Sequence, residues 1–105
     1  MAVTKYHNIT GSTGVDVELL ATGDNGDGIK SIWITNTRAS NAATVSLYIN
    51  NNTTNVKYYL LSTVVIPANG SLVLDDASTL NFDNANYGLY ITVGSSDTLD
   101  VTISK

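Results

Sequence analysis

The chain has 105 residues, 43% of them apolar, no cysteine, and a formal net charge of −4. That length suits one domain and is too short for two independent cores. The composition excludes a disulfide framework, a thiolate nucleophile and a thiolate metal site; no apolar run approaches the ~18 residues of a membrane-spanning helix, and the acidic balance disfavours binding to nucleic acid, whose phosphates call for clustered Lys and Arg.

Period-2 alternation recurs along the whole chain and predicts short strands. A first, less regular strand is expected around Val3 to Ile9, so that residues 1–12 form an N-terminal edge strand or arm. Val15-x-Val17-x-Leu19 follows, then a break at Asp24-Asn25-Gly26-Asp27-Gly28, where Asn-Gly and Asp-Gly tolerate positive φ. Residues 29–35 carry apolar side chains on both faces around Trp33. Ala43-x-Val45-x-Leu47-x-Ile49 is the cleanest alternation, with Thr44, Ser46, Tyr48 and Asn50 on the opposite face. Residues 56–66 are almost continuously apolar, with a bend expected at Ser62-Thr63. Pro67-Ala68-Asn69-Gly70 reads as a tight turn, before Leu72-x-Leu74. The stretch 75–86 lacks alternation and is expected to drop Leu80 and Phe82 onto the core from a loop or short helical turn. Leu89-x-Ile91-x-Val93 and Leu99-x-Val101-x-Ile103 close the series, and Gly94-Ser95-Ser96-Asp97 between them reads as a hairpin turn.

The residue balance agrees with strands and turns. Thr, Ser and Asn make up about a third of the chain, while Glu18 is its only glutamate, Arg38 its only arginine, and glutamine is absent. The fold expected is all-β: a single antiparallel β-sandwich of seven or eight short strands, jelly-roll or Ig-like, filling residues 1–105. A five-stranded barrel is the competing architecture.

Little in the chain points to catalysis. His7 is the only histidine, and triads or histidine metal sites need it beside a nucleophile or a second ligand. Asp24 and Asp27 share a glycine-rich loop and Asp75-Asp76 precede Ala77-Ser78, but the spacing is not that of a calcium-binding EF-hand. Turn stabilisation and helix capping account for these carboxylates, so no metal and no cofactor is expected. The Asn-x-Ser/Thr triplets at Asn8, Asn51, Asn52 and Asn69 are chance products of the composition. The aromatics are the stronger signal. If Ile32 and Ile34 point inward, alternation turns Trp33, Tyr48 and Tyr90 outward, where large aromatics commonly mark interfaces.

The segments IKSIWITNTRASNAATVSLYI, YYLLSTVVIPANGSLVLDD and YGLYITVGSSDTLDVTIS resemble small virion proteins of tailed bacteriophages, those of marine cyanobacterial phages above all. The shared patterns, "VTNT", "TVSLYI", "VxIPAxxSLxL" and "DTLxVTIS", fall at residues 34–37, 44–49, 64–74 and 97–104. The resemblance implies a small sandwich on the virion, on the capsid as a decoration or cement protein, or on the tail or baseplate. It implies no catalytic residue. The partners it implies are copies of the same chain in a homo-oligomer, a trimer being one closed form, and the major capsid or tail protein, with no nucleic acid and no membrane. Synthesis in the host cytoplasm fits an N-terminus, Met1-Ala2-Val3-Thr4-Lys5, without the apolar stretch of a signal peptide. A reading of a different class, from the same outward aromatics, is a carbohydrate-binding module for cell-surface recognition.

Overall fold

The computed structural model describes residues 5–10, 16–21, 29–51, 53–76, 80, 82–83, 85–94 and 97–104. They form eight strands: β1 (Lys5–Thr10), β2 (Asp16–Leu20), β3 (Ser31–Asn36), β4 (Ala43–Asn51), β5 (Lys57–Ile66), β6 (Ser71–Leu74), β7 (Tyr87–Val93) and β8 (Thr98–Ser104). One sheet has the order β1-β8-β3-β6 and the other β2-β7-β4-β5. Every ladder is antiparallel.

This order is a jelly roll, not an Ig-like sandwich. The pairs β1·β8, β2·β7, β3·β6 and β4·β5 follow one another along a single antiparallel ribbon whose tip is the β4–β5 hairpin. Rolling that ribbon over adds the ladders β3·β8 and β4·β7 and closes two packed sheets. Of the successive strand pairs, only β4 and β5 lie in the same sheet. The expected hairpin at residues 94–97 is therefore a correction: β7 and β8 belong to different sheets, and this turn crosses between them. Turn composition and alternation cannot tell a hairpin from a crossover, because both need a tight reversal between two half-buried strands.

Side-chain alternation builds the core. Ile32 and Ile34 of β3, Val45 and Leu47 of β4, Leu89 and Ile91 of β7, and Leu99, Val101 and Ile103 of β8 are all buried between the sheets. Leu80 is buried with them and Phe82 packs against them, as expected of the stretch after β6. The Leu80 N–H donates to the Asp76 carbonyl at 3.0 Å, a bond of helical-turn type.

Strand β5 departs from simple alternation. Its register against β4 shifts twice, once between Val45 and Leu47 and once between Leu47 and Tyr48. The first shift sets Ser62 and Thr63 against Ser46. Thr63 adopts a positive φ of 52°, and its N–H donates to Ser46 Oγ at 2.9 Å. That is a β-bulge, the bend expected at Ser62-Thr63. The second shift leaves Leu60 unopposed and puts Tyr59 across from Tyr48.

Asn36, at the end of β3, is completely buried. Its Nδ2 donates to the carbonyls of Asn41 (2.9 Å), Ile66 (3.1 Å) and Pro67 (3.2 Å), and its Oδ1 accepts from the Arg38 N–H at 3.0 Å. The Asn36 N–H donates to the Gly70 carbonyl at 2.9 Å. One side chain thus ties the β3–β4 connection to the β5–β6 turn. In that turn Gly70 N–H donates to the Pro67 carbonyl at 2.9 Å, and the positive φ falls on Asn69, at 58°.

Candidate functional site

The two sheets turn their outer faces in opposite directions, and each carries aromatic side chains in a row across the strands. On the β1-β8-β3-β6 face, Tyr6 pairs with Thr102, Thr102 with Trp33, and Trp33 with Val73. Tyr6 is 77% exposed and Trp33 50%. The next row holds Asn8, Asp100, Thr35 and Ser71. Asn8 Nδ2 donates to Asp100 Oδ1 at 2.7 Å, and the Thr35 and Ser71 hydroxyls are hydrogen-bonded at 3.0 Å. A shallow depression of about 400 Å³ lies over Tyr6, Asn8, Asp100 and Thr102.

On the opposite face the row runs Glu18, Tyr90, Tyr48, Tyr59. Tyr48 stacks on Tyr90 with centroids 5.6 Å apart and planes 11° from parallel, and meets Tyr59 at 5.2 Å with a tilt of 47°. Lys57 Nζ stands over the Tyr48 ring, 4.7 Å from its centroid, a cation–π contact. At the other end of the row the Tyr90 hydroxyl donates to Glu18 Oε2 at 3.0 Å.

The three aromatics that alternation turns outward are therefore not one surface. Trp33 lies on one sheet, Tyr48 and Tyr90 on the other. Trp33 is exposed as expected, with Ile32 and Ile34 fully buried on either side of it. Tyr48 points to the outer side of its sheet, opposite Leu47, but is only 1% exposed. Tyr59, Tyr90 and Lys57 surround its ring and close it off, so Tyr48 supports the surface and Tyr59, 53% exposed, presents it. Sequence reasoning missed Tyr59 because the bulges in β5 erase its period-2 signal. It missed Tyr6, Asn8 and Asp100 because their grouping depends on which strands pair, which no local pattern encodes.

The remaining described candidates lie beside the β1-β8-β3-β6 face: His7 borders the same depression as Tyr6 and Asp100, and Asp75 and Asp76 share a cleft with Val73. His7 lies on β1 across from Val101, and its Nε2 is buried with no hydrogen-bond partner among the described residues. Asp75 and Asp76 are exposed and border a cleft of about 280 Å³ with Leu60, Val73, Leu74 and Leu80. Asp24 and Asp27 lie outside the described residues. Among the described residues, no three of His, Asp and Glu come together as a metal site, and no helix is long and apolar enough to cross a membrane.

No protein-family model matches the chain, and no curated protein is found to be similar to it.

Proposed function

We propose that the chain is a non-enzymatic structural protein of a tailed-phage virion, a capsid decoration protein that docks on the head and stabilises it. The reading starts from the resemblance of residues 29–104 to small phage virion proteins. The jelly roll is compatible with it but does not choose it, because the same fold serves viral capsid domains, lectins and cupins.

The observation that carries the docking surface is the Tyr90–Tyr48–Tyr59 stack. Glu18 and Lys57 are both engaged by it, one by the Tyr90 hydroxyl and one over the Tyr48 ring. Tyr59 is thereby held in place by its neighbours, with exposed Val65 further along the same strand. An aromatic anchor fixed before binding loses little side-chain entropy on docking, which favours a tight, specific contact. The partners on this reading are the major capsid protein and neighbouring copies of the chain.

The test uses particles of the phage that encodes the chain. Quantitative mass spectrometry of purified particles should find the chain in fixed ratio to the major capsid protein. Tyr59→Ala should weaken attachment to particles lacking the chain by at least about tenfold, or 1.4 kcal/mol, with thermal unfolding near wild type. Absence from purified particles would overturn the reading, and a few copies confined to the tail would replace it with a tail or baseplate role.

A further inference from the structure

We propose that the outer face of the β1-β8-β3-β6 sheet binds a neutral saccharide, with Trp33 and Tyr6 as stacking platforms and Asp100 and Asn8 as its hydrogen-bonding pair. The face is opposite the docking surface described above, so the inference does not depend on that reading. A chain docked by Tyr59 would leave Trp33 and Tyr6 turned away from its support.

The chemistry of the face selects the ligand. Trp33 and Tyr6 flank the small side chain of Thr102 in one row. Two strand spacings place their backbones about 9–10 Å apart, a reach that suits consecutive pyranose units of a chain better than one ring. The C–H faces of pyranoses are flat and apolar and suit the exposed faces of aromatic rings. Their hydroxyls need acceptors and donors beside the stack, and the neighbouring row supplies Asn8, Asp100, Thr35 and Ser71.

Asp100 is already oriented for that role. Asn8 holds its Oδ1 at 2.7 Å, and its Oδ2 has no hydrogen-bond partner among the described residues. A carboxylate oxygen accepts strong hydrogen bonds from hydroxyls. Asp100 is also the only charged residue in the two rows, so acidic sugars, phosphates and nucleic acids would be repelled. A dry protein interface suits the face less well, because it would bury a carboxylate, an amide and four hydroxyls that need partners.

The site has a built-in reporter, since Trp33 is the only tryptophan in the chain. The protein is screened on an array of neutral and acidic glycans. Cellohexaose, chitohexaose, maltohexaose and the corresponding monosaccharides are then titrated by tryptophan emission and calorimetry. The expected result is saturable binding of a neutral oligosaccharide, with its monosaccharide at least about tenfold weaker. Tyr6→Ala and Asp100→Ala should each weaken binding by a similar factor while melting as wild type, and Tyr59→Ala should bind normally. No saturable binding to any neutral glycan would overturn the proposal. So would binding that survives both Tyr6→Ala and Asp100→Ala. Loss of particle attachment in Trp33→Ala, without saccharide binding by the wild type, would make the face a protein contact instead. Particle occupancy of the wild-type chain is measured separately, so failure of the saccharide site and failure of the virion reading give different results.

Discussion

Arg38 Nη1 stands 3.0 Å from Asp97 Oδ1, and the two residues come from the ends of different strand connections. The second oxygen of Asp97 accepts the Thr44 N–H at 3.0 Å. Asp97 therefore clasps the β7–β8 crossover to the start of β4 in the opposite sheet. Asp97→Ala should destabilise the fold by about 1–3 kcal/mol, the cost of leaving a polar backbone group without its partner. Asp97→Asn keeps an oxygen for Thr44 and should lose less. Gly94→Ala should mimic the alanine variant, because a Cβ there would come 2.5 Å from Asp97 Oδ2. Urea unfolding of the three variants checks the order, and equal losses for Asn and Ala would assign the effect to the Arg38 pair alone.

Asn36 should be less replaceable than its small size suggests. Asn36→Ala strands the carbonyls that its amide now serves, at about 1–3 kcal/mol for a buried group left unsatisfied. Asn36→Asp should be worse, since it sets carboxylate oxygens against the carbonyls of Asn41, Ile66 and Pro67. Calorimetric melting temperatures should fall in the order wild type, Ala, Asp. An aspartate variant as stable as wild type would contradict this account.

Leu47 is fully buried at the centre of β4. Leu47→Ala removes a large aliphatic group from between the sheets and should cost about 2–5 kcal/mol. An unchanged denaturation midpoint would mean that the inward face of β4 had been misassigned.

Trp33 and Tyr48 should respond in opposite ways to truncation. Trp33 is half exposed, and Trp33→Ala should change stability by no more than about 1 kcal/mol, close to the range of ordinary surface changes. Tyr48 is enclosed by two tyrosines and a lysine, and Tyr48→Ala should cost about 3–5 kcal/mol, as for other buried aromatics. Thermal unfolding of both variants checks the pair. The reverse ranking would exchange their assigned environments.

Most strands, and the inward facing of Ile32 and Ile34, were legible because alternation is a local signal and each sheet buries one face. The bend at Ser62-Thr63 was legible because two small polar residues interrupt an apolar run. The pairing of strands was not, since jelly-roll and Ig-like sandwiches share the same alternation and differ only in which distant strands meet. That gap explains the misread crossover at residues 94–97 and the splitting of Trp33 from Tyr48 and Tyr90. The burial of Tyr48 and of Asn36 lay beyond reach for a related reason: both are enclosed by residues from other strands and turns, Tyr59 and Tyr90 for one, Ile66 and Pro67 for the other.

The proposed seat of this jelly roll is the outside of a phage head, held by its tyrosine face. An electron cryomicroscopy map of the particle tests it most directly. The account predicts density for a sandwich of 39 × 29 × 19 Å on the outside of the head, with Tyr59 against the shell and Trp33 and Tyr6 turned to solvent. A head surface bare of such density, or a sandwich seated with Tyr59 facing outward, would contradict it.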